Sequence, residues 1–300
     1  MKMFWAGTIL LMLLMPVVAI GGEKAKSIDE LAKMYDVSSC KTCHAEIYNQ
    51  WEKSYHAKSL VGSPRTMATL AGTIKDGLLK EYTKLGLKGV KDIKVEHMMI
   101  CAKCHLPQLT NATDAVAQEI AQAAIDGADG DEAARKKLEK LGINCLICHN
   151  QKAIIHKWTD GEVDPKAVYG RKEGAHADAK YNNLRKSPII QESILCGQCH
   201  GLGPNFEMAE PVQCATLYGS YLHAYIPSGG SETCQECHMK KDGQGHFMPA
   251  YRDDRVAKKA VDVQIETQGY KFLPKAGDLV PMAVVNVKLT SKAGHRIPDG

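Results

Sequence analysis

The chain has 300 residues, room for one large domain or two small ones. Its formal charge of +4 is too mild and too evenly spread for a nucleic-acid binder. Hydrophobic residues make up 44% but aromatics only 6%, so side chains fall short of the usual core volume and a bulky apolar group of another kind is expected.

Lys2 and the apolar run from Met3 to Ile20, with Ala19-Ile20-Gly21 as a small-x-small site, read as a signal peptide over residues 1–22. An uncleaved membrane anchor is the alternative, since the run has about the minimum length for a span. Either way the remainder is exported, to the periplasm or the cell exterior. Cys40-Lys41-Thr42-Cys43-His44 comes next. Residues 66–85 read as a helix, with Leu70, Ile74, Leu78 and Leu79 spaced for one face. Cys101-Ala102-Lys103-Cys104-His105 follows. Thr113 and Asp114 can cap a helix running to Ile125, with Val116 and Ile120 on one face. The run Asp126 to Asp131 lacks the spacing and closing Glu of a calcium loop and reads as a solvated turn. Asp131 can cap a second helix to Leu141, stopped by Gly142. Cys145-Leu146-Ile147-Cys148-His149 and Cys196-Gly197-Gln198-Cys199-His200 come after it. Gly and Pro punctuate residues 201–230, which predicts irregular structure. Cys234-Gln235-Glu236-Cys237-His238 ends the series. Past Arg255, Val261, Val263 and Ile265 alternate, as do Val285, Val287 and Leu289, predicting a small β module over 256–300. Two strands make a poor sheet, so the module is expected to be incomplete at Gly300.

The chain holds eleven Cys, ten of them in five pairs of identical spacing. Each pair is followed at once by His, and C-x-x-C-H is the attachment pattern of c-type haem. Both thiols add to the haem vinyl groups, two intervening residues put the sulfurs on one side of a helical turn, and the His becomes the proximal iron ligand. Zinc uses Cys pairs too, but does not require a His directly after each. A disulfide framework leaves those His unexplained. Five haem c groups are therefore expected, with Cys40, Cys43, Cys101, Cys104, Cys145, Cys148, Cys196, Cys199, Cys234 and Cys237 as thioether residues. The proximal ligands would be His44, His105, His149, His200 and His238. The motifs begin at residues 40, 101, 145, 196 and 234, with no fixed period, so this is not a tandem array. Few residues serve each haem, so neighbouring porphyrins must lie close. The eleventh cysteine, Cys214, reads as a buried thiol, with an intermolecular bond as the alternative.

Seven His remain: His56, His97, His156, His176, His223, His246 and His295. Supply matches the demand of five irons for distal ligands, which favours His over Met, the competitor that raises the potential.

Several segments resemble the multihaem cytochrome c superfamily that contains the tetrahaem cytochrome of ammonia oxidisers, hydroxylamine oxidoreductase and pentahaem nitrite reductase. Cys40 to Ala57 reads C-K-T-C-H-A-E-I-Y-N-Q-W-E-K-S-Y-H-A, with Trp51, Ser54 and His56 placed as in that group. Similar too are Tyr169-Gly170 through His176 to Cys196, Gly245-His246, the terminal Gly294-His295-Arg296-Ile297-Pro298-Asp299-Gly300, and His97 four residues before Cys101. The likeness runs over residues 38–300 but is specific only in these short motifs. It implies His56, His97, His176, His246 and His295 as distal ligands, with His156 and His223 in reserve. It also implies that the β segment continues past Gly300.

The expected fold is mainly α with much irregular structure, organised around stacked c-type haems, with a haem domain over 38–255. The expected function is electron transfer between respiratory partners, either redox proteins or a membrane quinone-linked complex. A redox enzyme of nitrogen or sulfur oxyanion chemistry with one open iron is the first alternative. The resembling nitrite reductases place Lys at the catalytic proximal position, and none of the five motifs here does so. The second alternative is a self-assembling subunit of an extracellular cytochrome filament.

Overall fold

The computed structural model describes residues 23–81, 85–201, 216–240, 245–249, 253–272, 277–278 and 280–297. The apolar N-terminal run, Cys214 and the last three residues lie outside the described residues.

The largest apolar core surrounds one helix, Asp114–Ala128. Val116, Ala117, Ile120, Ala121 and Ala124 recur at helical spacing and are all buried. The helix outruns its expected end at Ile125 by three residues and closes on Asp129. The hydroxyl of Thr113 makes no capping bond; the Asp114 carboxylate instead accepts the Val95 amide at 2.9 Å, joining this helix to the one carrying the second motif. Asp131 caps Glu132–Glu139 as expected, its Oδ1 accepting the amides of Ala133 at 2.8 Å and Ala134 at 3.1 Å. Asp131→Ala is expected to cost about 1 kcal/mol, read as a lowered midpoint in denaturant melts with haem spectra unchanged.

The helix expected over 66–85 appears as Pro64–Gly72 followed by a wider π-type coil, Thr73–Glu81. Ser63 caps it by accepting the Thr66 amide at 3.0 Å, and Pro64 takes a first-turn position. Ile74 and Leu78 reach the core, with Leu70 and Leu79 packed against it.

Two features depart from the sequence expectations. Residues 201–230 are not irregular throughout: Leu217–Ser220 and Tyr221–Tyr225 form a continuous helical segment. Tyr218, Tyr221 and Tyr225 stack along it, and the Tyr218 ring lies on Gly197, where any β-carbon would come within 2.6 Å. This packing outweighs the breaking tendency of Gly219. A three-stranded sheet also forms, in order β1 (Ala167–Gly170), β3 (Asn183–Lys186), β2 (Gly174–Ala175). β1 runs parallel to β3, and β2 antiparallel. Its strands, four residues or fewer, are too short for an alternating pattern to have announced it.

The C-terminal β module is a hairpin, β4 (Val261–Phe272) with β5 (Val280–Ser291). Val263 pairs with Leu289 and Ile265 with Val287, so the two alternating runs share one aliphatic face. That face is open: Ile265 is 63% and Leu289 66% exposed.

Candidate functional site: five attachment turns and their histidines

All five C-x-x-C-H motifs sit on helical turns. The first forms the turn Cys40–Cys43; the second and fourth end the helices Val95–His105 and Ser193–His200; the third and fifth run into π-type turns at Ile147–Gln151 and Glu236–Lys240. A helical turn places residues three apart on one side, as thioether attachment to a single porphyrin edge requires.

The sulfurs of different motifs also approach one another. Cys40 and Cys145, Cys104 and Cys199, and Cys196 and Cys234 are near enough to perturb one another. Burial above all, and then nearby Cys199, push the Cys148 thiol up to about 11. The turns are thus connected first to third, third to fourth, and fourth to both second and fifth.

Four motif histidines face a second histidine. His44 pairs with His176 at 6.3 Å between ring centres, His200 with His56 at 6.1 Å, His149 with His246 at 6.2 Å, and His238 with His295 at 6.2 Å. Angles between the ring planes run from 8° to 89° while the separation hardly changes. Ring-on-ring packing would couple angle to distance. A metal held between two ring nitrogens fixes the distance and leaves rotation free. Two metal–nitrogen bonds of about 2 Å, plus half a ring on each side, come to about 6 Å. The residues therefore fit iron with an imidazole on either face. Among the described residues no group of three or more His, Cys, Asp or Glu gathers as a metal cluster, so the Cys pairs do not converge as zinc sites do.

The ring nitrogens are prepared for this role. His149 Nδ1 bonds the Tyr169 carbonyl at 2.8 Å, His176 Nδ1 that of Tyr181 at 2.7 Å, His238 Nδ1 that of Pro249 at 2.9 Å and His295 Nδ1 that of Arg296 at 3.0 Å. A carbonyl at Nδ1 puts the proton there and leaves the Nε2 lone pair for metal. Burial pushes His56 down to about 4, helped by His200, and His246 down to about 4, helped by His149. Both are thus neutral, the form that ligates.

Local structure aims these rings. Around His56, Trp51 Nε1 donates to the Ile143 carbonyl at 2.8 Å and the Ile143 amide donates to the His56 carbonyl at 2.9 Å. His246 is held by Gln50, whose Oε1 accepts its amide at 2.9 Å, and Gly245 before it adopts φ +51°. Gly245→Val is expected to push Gln50 away and strain this turn, loosening His246 and raising the high-spin fraction in the absorption spectrum.

The remaining histidines lie outside these pairs. His105 has no histidine across from its ring among the described residues; Leu60, Leu70, Met98, Leu109 and Ile120 line a small apolar cavity beside it and Cys101. His97 starts the same helix, and its Nδ1 accepts the Lys94 amide at 3.1 Å. That bond leaves the proton on Nε2, the nitrogen a distal ligand would need. Two turns of helix, about 12 Å, also separate it from His105. His156 is exposed, with its ring against Trp158 at 5.9 Å, and His223 is exposed on the tyrosine-bearing helix. Pattern reasoning gave no supporting role to Gln50 or Tyr181, and marked Gly142 only as a helix stop and Tyr169 only as part of a resembling segment; their contacts to the ligand histidines leave no residue-type signature.

Residues 39–129 match the family model described as Cytochrome c554 and c-prime. The matched stretch, under a third of the chain, contains the first two attachment motifs and supports a c-type cytochrome, an electron carrier with haem c. No curated protein and no solved structure matches the chain. Among the described residues no helix is long and apolar enough to cross a membrane.

Proposed function

We propose that the chain is an exported five-haem cytochrome that passes electrons between respiratory partners, either soluble redox proteins or a membrane quinone-linked complex. The observation that carries this reading is the set of four histidine pairs held at one separation with varied ring angles. In it, His44 and His176, His149 and His246, His200 and His56, and His238 and His295 each hold one iron. A bound haem c supplies an iron that takes up and releases one electron. An iron with two imidazoles is full and exchanges electrons without binding substrate. The sulfur contacts support an electron path from the first motif through the third to the fourth, with branches to the second and fifth.

A second reading concerns the second motif alone. Among the described residues His105 faces no second histidine and lies beside an apolar cavity, which suits an iron open to a small uncharged ligand. The absorption spectrum of the purified holoprotein, oxidised and dithionite-reduced, with and without carbon monoxide, tests both. Five haems per chain by the pyridine adduct, with one in five high-spin and responding to carbon monoxide, is the expected result. A different haem count ends the five-haem reading, and an entirely low-spin spectrum indifferent to carbon monoxide ends the open-iron reading.

A further inference from the structure

Residues 245–249 make one tight reversal that touches the histidines of two motifs. Gly245–Phe247 form a short 3-10 turn, and Met248 follows it with φ +49°. Among the described residues Met248 is the one non-glycine residue with a positive φ. A side chain disfavours that left-handed backbone, which persists only where its surroundings hold it. Both ends of the reversal are held. Before Met248, the His246 amide donates to Gln50 Oε1 at 2.9 Å, and Gln50 stands on the helix Ala45–Glu52 that follows the first motif. The His246 ring faces His149, 6.2 Å away between ring centres. After Met248, Pro249 is buried, and its carbonyl accepts from His238 Nδ1 at 2.9 Å. Pro249 also disfavours right-handed helical backbone at the residue before it, so the 3-10 turn does not run on through Met248. The left-handed residue thus stands between the ring opposite the third motif and the carbonyl that orients the fifth.

We propose that Met248 is a positioning residue whose left-handed backbone holds the Pro249 carbonyl on His238 and so keeps the fifth haem at a low reduction potential. The inference rests on the five-haem reading and its histidine pairs. A carbonyl at Nδ1 makes an imidazole a stronger donor, and a stronger donor favours the oxidised iron, which carries the greater positive charge. Losing that hydrogen bond therefore moves the potential up. His246 is anchored twice, by Gln50 and by its place opposite His149, whereas the Pro249 carbonyl is held on His238 by one hydrogen bond. A backbone forced out of the left-handed region at 248 gives way on the Pro249 side. Met248 touches no iron in this role; it acts through Pro249.

The test is a spectroelectrochemical titration of the intact holoprotein, comparing wild type, Met248→Val, Met248→Asn and His295→Ala. A β-branched Val resists the left-handed region, and Asn tolerates it. The component displaced in His295→Ala marks the fifth haem. The expected result is a shift of that same component to higher potential in Met248→Val, with the high-spin fraction unchanged and the other components in place. Met248→Asn should titrate as wild type. Superimposable curves for wild type and Met248→Val would overturn the proposal. So would a shift in a different component, or a Met248→Asn curve displaced as far as that of Met248→Val, which would make the Met side chain and not the backbone responsible. A raised high-spin fraction in Met248→Val would overturn it too, because the reversal would then have given way at His246. Two controls separate these outcomes from a failure of the underlying reading. A haem count other than five per chain, or a His295→Ala protein with an unchanged spin state, defeats the five-haem reading or its pairs, and the proposal with them.

Discussion

His56→Ala opens a second iron. On the proposed pairing His56 is the ligand opposite His200, at 6.1 Å between ring centres, and no other imidazole among the described residues is paired with His200. The variant should shift the carbon monoxide-sensitive share from about one haem in five to about two in five, with a matching rise in the high-spin band. His97→Ala is the companion experiment. Its ring is spent on the Lys94 amide, so the spectrum should not change, and stability should fall by about 1 kcal/mol for the lost hydrogen bond. If His97→Ala alters the spin state and His56→Ala does not, the pairing is wrong.

The second large effect comes from a residue that touches no iron. A β-carbon on Gly142 would lie 2.3 Å from the Ala57 carbonyl oxygen and 3.3 Å from that of His56. Those neighbours are backbone and cannot swing aside. Nor can residue 142 retreat, since its carbonyl accepts Gln108 Nε2 at 2.8 Å and Ile143 is bonded in both directions to the 51–56 segment. Gly142→Ala should therefore cost about 1–3 kcal/mol, as overpacking does, and should displace His56 from its iron. The expected spectrum is a milder version of His56→Ala. Gly72→Ala is the control, because no atom lies within 4 Å of its added carbon. A Gly142→Ala protein with wild-type stability and spin state would mean that this close approach does not exist.

These cases mark how far the sequence could be read. The attachment turns were legible because haem attachment chemistry fixes three residues within five consecutive positions, and no packing context can alter that spacing. The helices at 114–128 and 132–139 were legible from apolar spacing and the Asp131 cap, both local signals. The sheet at 167–186 was not, because its strands are four residues or fewer and lean on His149 and the 176–181 turn. The helix at 217–225 was hidden by its glycine and shows itself only through tyrosines resting on the fourth motif. Distal histidines were legible as a supply but not as pairs. His44 meets His176 across most of the haem-bearing region, and no rule of spacing links the two. Gly142 marked the end of a helix in sequence; its second role, making room for His56, exists only once both segments are folded.

The four pairs also have a topological consequence. If each is joined through iron, each is a cross-link closing a long loop, 44 to 176, 56 to 200, 149 to 246 and 238 to 295. Every loop begins before the previous one has closed, so they interlock like the links of a chain. A cross-link stabilises by shrinking the freedom of the unfolded state, and long loops gain most from this. Interlocked loops go further, because no stretch between His44 and His295 lies outside all of them. Loosening any part must strain a bond that also anchors its neighbour. Three of the four loops close only when a residue downstream of its attachment turn arrives, so a chain made from its N-terminus locks progressively, ending at His295.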